Sequence, residues 1–131
     1  MKLVCISLAL ALLPAAAVAG QADGVWKTEA NDSGGHLEVT MAPCASDASK
    51  TCGTITGAFK KDGPDPNYVN LGKPIVSDMT SSDGVHYSGG TIWDPENDKT
   101  YNSKMTVKGD DIDVEGCISI ICSGQDWKRV K

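Results

Sequence analysis

Short runs in which apolar and polar residues alternate make up most of the chain after residue 24. The run 36–41 is the clearest, because Leu37, Val39 and Met41 fall on one face and polar side chains fall on the other. Such a period of two is typical of a β-strand that is buried on one side. Runs of this kind predict eight strands, at residues 25–28, 36–41, 53–59, 74–79, 85–93, 100–107, 112–117 and 125–130.

Turn residues separate these runs at short intervals. Aspartate, asparagine, glycine and proline recur between the predicted strands, and they supply the backbone dihedrals that tight turns need. Alternation within 53–59 places Ile55 and Phe59 on one side of the strand and Ala58 on the other. The longest irregular stretch runs from Lys60 to Lys73, and we expect it to expose Tyr68.

Eight short strands joined mostly to their sequence neighbours can close into a ring that leaves no exposed edge. We therefore predict an all-β protein, a small antiparallel up-and-down barrel. A two-sheet sandwich would show the same periodicity, and it stays open as the alternative. Gly89 and Gly90 lie inside one predicted strand, which indicates a sharp bend, a bulge or a close backbone approach at a barrel corner. An eight-stranded barrel is either filled by side chains or holds one small ligand.

The first residues have the three-part order of a secretory signal peptide. Lys2 gives a basic start, 3–13 form an apolar core, and Pro14 precedes an Ala17-x-Ala19 cleavage site. That core is shorter than the ~20 apolar residues that cross a bilayer as a helix. We expect residues 1–19 to be removed and residues 20–131 to form one domain, periplasmic or secreted, without a membrane span.

The charge balance argues against nucleic acid as a partner. Without Lys2, 11 Lys and Arg remain against 17 Asp and Glu, a net charge of −6. A surface of that sign repels phosphate backbones and anionic lipids, and no stretch gathers the lysines into a basic stripe.

Four cysteines remain in the mature chain, namely Cys44, Cys52, Cys117 and Cys122. An even number in a small exported domain predicts disulfides. Four cysteines allow three pairings, and we favour Cys44 with Cys52 and Cys117 with Cys122, because each pair encloses a short loop between strands. A four-thiolate zinc site is disfavoured by the spacing and by the oxidising compartment, and we expect no metal and no cofactor.

Two short features resemble the calycin superfamily, the lipocalin and streptavidin type of barrel. Gly24-Val25-Trp26 opens the first strand as the Gly-x-Trp of many such barrels does, and Arg129 lies in the last strand. The resemblance implies that the Arg129 guanidinium packs over the Trp26 indole and closes one end of the barrel through a cation–π contact. Gly24, Trp26 and Arg129 are thus expected to be structural, and we expect Trp127 to be structural as well because an indole of this size is typical of a small core.

A closer resemblance, over nearly the whole mature chain, is to an uncharacterised family of exported bacterial proteins, domain-of-unknown-function family twenty-one forty-seven. It rests on 24–28, Cys44, 52–55, 72–75, 89–95, 99–101, 116–117, Cys122 and 125–127. The resemblance implies export and a β-rich scaffold, and it brings no assigned activity.

Aromatic residues are the candidates for ligand binding. The three tryptophans can all be core, since one indole buries ~150–250 Å², or they can line a cup for an apolar or sugar-like ligand. We select Trp93, Tyr87, Tyr101 and Tyr68 as candidate ligand-binding residues. The acidic turn at 94–98 could offer oxygen ligands to calcium, but its sequence is that of an ordinary hairpin turn.

Catalysis is not indicated, because a nucleophile and its base must lie within hydrogen-bond reach. His36, His86 and Ser88 fall on predicted strand faces with no motif around them. We therefore expect a non-enzymatic binding module for a small hydrophobic or amphipathic ligand. The alternative is a module that binds an envelope protein, for example an inhibitor of a periplasmic hydrolase, with the segment from Lys60 to Lys73 inserted into its partner.

Overall fold

The computed structural model describes residues 20–131. The predicted signal peptide, residues 1–19, lies outside the described residues. The described chain forms strands β1 Gly24–Lys27, β2 His36–Pro43, β3 Thr51–Lys60, β4 Gly63–Pro64, β5 Pro74–Met79, β6 His86–Asp94, β7 Lys99–Lys108, β8 Asp111–Ile118 and β9 Ile121–Arg129. Across residues 20–131, no helix is long and apolar enough to cross a membrane.

Eight of these strands close into one antiparallel ring. Each pairs with its neighbours in the order β1, β2, β3, β5, β6, β7, β8, β9 and back to β1. The remaining strand, β4, has two residues and pairs with β3 alone. The predicted up-and-down barrel is thus confirmed, and the sandwich alternative is wrong. The ring closes where β1 meets β9, and there the Val25 amide donates to the Lys131 carbonyl over 2.7 Å.

Seven of the eight predicted strands differ from the structure at one or both ends, and the largest difference is at the last strand. The last strand begins at Ile121, four residues before the predicted start at Gln125, because Cys117 pairs directly with Cys122 in the β8–β9 ladder. The hairpin turn is only Ser119-Ile120, and Ser119 adopts a positive φ of 56° there. The short β4 lies within the segment predicted to be irregular.

A β-bulge reverses the predicted faces at the end of β3. The β2–β3 register shifts between Glu38 and Val39, so one extra residue on β3 turns its following side chains over. Ala58 is 7% exposed and joins the interior, whereas Phe59 stacks on His36 with ring centroids 4.7 Å apart. The prediction that Phe59 lies on the same side of the strand as Ile55, and Ala58 on the other, is therefore wrong.

A second bulge lies at the glycine pair in β6. The β6–β7 register shifts between Tyr87 and Gly90, and Gly89 has a φ of 81°. A Cβ atom on Gly90 would lie 2.1 Å from the Ser77 carbonyl oxygen. The backbone of β5 therefore approaches β6 here as only glycine permits, in agreement with the predicted bulge or close approach.

One end of the barrel is sealed around Trp26, which is fully buried. Its indole nitrogen donates to the Ala22 carbonyl over 2.8 Å. The Arg129 guanidinium carbon lies 4.2 Å from the centroid of the Trp26 ring, and its nitrogens donate to the carbonyls of Asp23 and Gln21 over 2.9 and 2.7 Å. This end, formed by residues 20–26 and Arg129, is called the floor.

Gly24 is required at the floor by space as well as by conformation. Its φ is 131°, and a Cβ atom would lie 2.7 Å from the Lys131 oxygen and 2.9 Å from Nη1 of Arg129. The Gly-x-Trp sequence therefore places glycine, which has no side chain, next to the Arg129 guanidinium. It also places the Trp26 indole under that guanidinium.

Both disulfides have the favoured pairing, Cys44 with Cys52 and Cys117 with Cys122. The first encloses the β2–β3 loop, and the second joins β8 to β9 beside their turn. All four sulfurs are bonded in pairs, so a four-thiolate zinc site is excluded for these cysteines. Disulfides of this kind are typical of an oxidising, extracytoplasmic environment.

Candidate ligand-binding cup

The end of the barrel opposite the floor opens into a cup of about 1480 Å³. It lies between the ends of β1, β3, β6 and β8 and the starts of β2, β5, β7 and β9. Its apolar lining includes Leu37, Ala58, Ile75, Ile92, Trp93, Tyr68, Tyr101, Val114 and Trp127. Side chains thus fill the half of the barrel next to the floor, and the opposite half is open.

Three of the four candidate aromatic residues line this cup. Trp93 comes from the end of β6, Tyr101 from the start of β7, and Tyr68 from the segment between β4 and β5. The Trp93 indole is oriented by a 2.9 Å hydrogen bond to Asp98 Oδ1, and the Lys73 ammonium lies 5.9 Å from its ring centroid.

Tyr68 is half-buried and packs against the core, so the expectation that it is exposed is wrong. Its hydroxyl accepts a 3.3 Å hydrogen bond from the Asn70 amide. The alternation rules could not place it, because it lies outside the predicted strands.

The fourth candidate, Tyr87, lies at the floor and is not among the residues that line the cup. It is 3% exposed, and its hydroxyl donates to the Gly84 carbonyl and accepts from the Ala22 amide. Burial raises the pKa of this phenol. The structure therefore separates Tyr87 from the other three aromatic residues by the depth of the barrel.

Trp127 forms the base of the cup. It is 2% exposed yet borders the open volume, and its indole nitrogen donates to Gln125 Oε1 over 3.1 Å. Gln125 also lines the cup, which puts one adaptable polar group beside an apolar base. Lipophilic sites commonly combine such surfaces with a few polar groups.

The rim of the cup is acidic. Six carboxylates and two lysines line it, namely Glu29, Asp32, Asp62, Asp65, Asp94, Glu96, Lys60 and Lys61. His36 stands at the same rim, where partial burial and then the charge of Lys27 lower its pKa from 6.5. The rim thus has an excess of four negative charges, which disfavours anionic groups at the entrance.

One loop crosses the mouth of the cup. Residues 28–35, here called the strap, join β1 to β2, and the turn between β6 and β7 lies on the opposite side of the eight-stranded ring. The Asn31 amide nitrogen donates to Glu96 Oε1 over 3.2 Å. Because that contact joins opposite walls, the strap bridges the mouth. The part of the mouth on the side of the β8–β9 turn is called the portal.

The strap is organised by the same asparagine. Asn31 Oδ1 accepts hydrogen bonds from the amides of Ser33 and Gly35 over 3.0 and 2.9 Å, as expected of an Asx-type turn. The sequence signals this turn in Asn31-Asp32-Ser33-Gly34-Gly35 but carries no sign of its partner 65 residues away.

The acidic turn after β6 is held by its own hydrogen bonds. Asp94 accepts from the Glu96 amide over 3.0 Å and from the Asn97 side chain over 2.8 Å. This is the hairpin chemistry that the sequence indicates.

The histidine, serine and potential metal-ligand side chains outside the cup have the following contacts. His86 Nδ1 and Asp83 Oδ2 lie 2.7 Å apart on the surface, and hydrogen bonds from the His86 amide, the His86 ring and the Val85 amide hold the pKa of Asp83 well below its usual range. Within residues 20–131, no hydrogen bond joins the Ser88 hydroxyl to His86. The group of potential metal ligands, Cys44, Cys52 and Asp78, has both sulfurs in a disulfide.

Comparison with known proteins agrees with this architecture. A model of the family described as "Uncharacterized protein conserved in bacteria (DUF2147)" matches residues 24–129. Among solved structures, protein HP1028 from Helicobacter pylori, described as belonging to the lipocalin family, superimposes with a TM-score of 0.64. It is 16% identical, and the match covers 83% of this chain and 82% of that one. At that identity the likeness shows a shared fold. No curated protein matches the sequence significantly.

Proposed function

The chain belongs to the uncharacterized bacterial family DUF2147, and we propose that it is a non-enzymatic carrier that holds a small hydrophobic or amphipathic molecule in its cup. The family and the fold give a lipocalin-like barrel, and the proposal adds to that barrel a ligand and its chemical class.

The observation that carries the proposal is the uneven filling of the barrel. Trp26, Met79 and Met105 are fully buried toward the floor, whereas Trp93, Tyr101 and Tyr68 border a volume of about 1480 Å³. Small-molecule sites are usually concave and mostly apolar, with volumes of ~300–1,000 Å³. An open cup leaves part of its volume as entrance, so the space fits one molecule of moderate size.

The acidic rim supports a choice of polar group. An amphipathic ligand with its apolar part against Trp127 would place its polar end among the rim carboxylates. Charges separated by less than the Debye length of ~8 Å at physiological ionic strength are only partly screened. We therefore propose an uncharged or cationic polar end, and expect a long-chain amine to bind more tightly than the carboxylic acid of equal length.

The compartment is part of the proposal. Two disulfides in a small domain support an exported protein, periplasmic or secreted, with residues 1–19 as its cleaved leader. Mass spectrometry of the protein from its native compartment tests this, because cleavage after Ala19 predicts a first residue Gly20.

The direct test is a fluorescence titration of oxidised residues 20–131 with N-phenyl-1-naphthylamine, an uncharged apolar probe. We expect saturable enhancement with one probe per chain. Trp93→Ala removes an aromatic wall, and about 1.4 kcal/mol of lost contact corresponds to tenfold weaker binding. Tyr87→Phe is the matched control, because it changes an aromatic residue at the floor and keeps the ring.

Absence of saturable binding by the folded wild-type protein would refute the carrier. Equal weakening by the two variants would show that the probe does not occupy the cup. Thermal unfolding of each variant should accompany the titration, so that a loss of fold is not read as a loss of site.

A protein-binding role is the second candidate, and it loses part of its basis. It rested on insertion of the segment from Lys60 to Lys73 into a partner, and Tyr68 of that segment instead lines the cup. Val69 is the most exposed large apolar residue of that segment, at 79%. A pull-down that compares wild type with Val69→Ser tests what remains of this hypothesis.

A further inference from the structure

The turn between β8 and β9 exposes an unusual amount of apolar surface. Ile118, Ile120 and Ile121 are 69%, 94% and 75% exposed. Isolated exposed apolar residues are common, but contiguous ones indicate a surface that meets another phase or partner. Residues 118–121 are called the isoleucine tip.

The tip lies in a stretch that carries no charge. Between Glu115 and Asp126, every residue is uncharged. Transfer of charged side chains from water into an apolar medium is costly. This hairpin end can enter such a medium without burying a charged side chain.

The backbone of the tip is also prepared for an apolar medium. Ile118 pairs with Ile121 and Cys117 with Cys122 in the β8–β9 ladder, and the disulfide fixes the two strands beside the turn. In lipid, each unpaired backbone group costs several kilocalories per mole. Here the ladder continues to the two-residue turn, so few backbone groups are left unpaired.

The tip stands beside the cup. Ile118 and Ile121 belong to the cup lining as well as to the exposed surface. In the ring of strands, the β8–β9 turn lies on one side of the strap, between its two attachment points. The tip therefore borders the portal, and on β8 the residues Val114, Gly116 and Ile118 all line the cup between its interior and the tip.

We propose that the isoleucine tip inserts into the surface of an uncharged, zwitterionic lipid bilayer and sets the neighbouring portal against it, so that the amphipathic ligand enters and leaves through the membrane interface. This proposal rests on the proposed carrier function. The negative charge of the protein favours an uncharged bilayer. A net charge of −6 for residues 20–131 and an acidic rim repel anionic lipids.

The shape of the tip favours a bilayer over a protein partner. A stable protein interface buries about 800 Å² on each side with complementary shape. A hairpin end with a two-residue turn is narrow and convex, and it supplies only three large apolar side chains. Insertion into a bilayer interface requires apolar area and few charges, and it does not require a complementary shape.

The test is flotation of the disulfide-bonded protein with phosphatidylcholine vesicles, compared with vesicles that contain phosphatidylglycerol. We expect the wild type to float with phosphatidylcholine, and less with the anionic mixture at low salt. The triple variant Ile118→Ser, Ile120→Ser, Ile121→Ser should partition at least about tenfold less, since binding scales with the apolar area inserted. Val130→Ser, an exposed apolar residue of the floor end at 44%, is the matched control and should float as wild type does.

Ile120→Ser alone guards against misfolding of the triple variant, because the Ile120 side chain is almost wholly in solvent. It should still weaken flotation several-fold. Wild type that stays unbound to phosphatidylcholine, or variants that float equally well, would overturn the proposal. A stoichiometric protein partner that needs the tip, found together with absent vesicle binding, would replace it.

Probe titration without vesicles keeps the two proposals apart. The triple variant should bind N-phenyl-1-naphthylamine within about twofold of wild type, yet extract the probe from vesicles at least tenfold more slowly. Flotation with no probe binding would refute the carrier and leave the membrane contact. Probe binding with no flotation would refute the membrane contact and leave the carrier.

Discussion

Substitution of Arg129 by methionine tests how the floor is closed. In the structure the guanidinium covers the Trp26 indole at 4.2 Å and donates to two backbone carbonyls that precede β1. Methionine keeps much of the apolar stem and removes the cation and its donors. The change therefore isolates the contribution of the guanidinium.

The expected loss follows from three contacts. The cation–π contact contributes roughly 1–2 kcal/mol when it is largely shielded, and the Arg129 side chain is 25% exposed. Two hydrogen bonds to carbonyls add about 1 kcal/mol each after allowance for water. The Asp110 carboxylate, 3.8 Å away and 94% exposed, adds little. We expect the free energy of unfolding to fall by about 3 kcal/mol, which lowers Tm by roughly 12 °C in a domain of this size.

The assay is urea unfolding of the disulfide-bonded protein, followed by tryptophan fluorescence. Lys128→Met is the matched control, because Lys128 also lies in β9 and pairs with Asp111 at 2.8 Å. That pair is exposed, so its loss should cost less than about 1 kcal/mol. Arg129→Lys should be intermediate, since one ammonium keeps the charge but cannot reach both carbonyls in the same geometry.

A loss below about 0.5 kcal/mol for Arg129→Met would refute this account of the floor. So would a loss no larger than that of Lys128→Met. In either case apolar packing of Trp26 would suffice to close the barrel.

Three further predictions concern the fold and its pH dependence. Gly90→Ala should lower the free energy of unfolding in urea by about 3 kcal/mol or more, because the added Cβ would meet the β5 backbone. Gly116→Ala is the control and should cost far less, since the nearest atom to its added Cβ lies 3.4 Å away. Equal losses for the two variants would contradict the close approach of β5 to β6. Serine at both Cys117 and Cys122 should lower the free energy of unfolding by about 2 kcal/mol on the chain-entropy model; an unchanged urea midpoint would contradict it. The pKa of His36 is lowered in the folded protein, so the unfolded chain binds a proton at this histidine more readily. His36 therefore stabilises the fold less as the pH falls below 6.5. NMR titration should find its pKa below that value, and His36→Gln should reduce the change in the free energy of unfolding between pH 7.5 and 5.5.

Much of the barrel could be predicted because its signals are local. The alternation in 36–41 places Val39 and Met41 inside, where both are buried. Turn residues give the hairpins, and short spacing favours the disulfide pairs that form. Each of these inferences uses only neighbouring residues along the chain.

The errors have a common physical cause, since alternation gives the face of a strand but neither its depth nor its bulges. Tyr87 and Tyr101 both lie in predicted strands, yet one is at the floor and the other in the cup. The bulge near Glu38 changes the faces of Ala58 and Phe59 because one residue is added against an unbroken partner strand. No local signal marks that position.

The strap was not predictable for a different reason. Its contact joins Asn31 to Glu96 across the mouth, and such a contact exists only once the ring has closed. Long-range polar contacts of this kind depend on the whole fold, and a single sequence contains no periodic sign of them.

Residues near both ends of the described chain, 20–131, meet at the floor and are joined there by backbone hydrogen bonds. The Val25 amide donates to Lys131, and the Val130 amide donates to Val25, both over 2.7 Å. A short linker from Lys131 to Gly20, with a new opening at the Gly109 turn, would give a permuted chain that retains all eight neighbour relations of the ring. In a protein of residues 20–131, a tag or surface tether fused to Gly20 or Lys131 would emerge on the side away from the cup and would leave the portal and the isoleucine tip free.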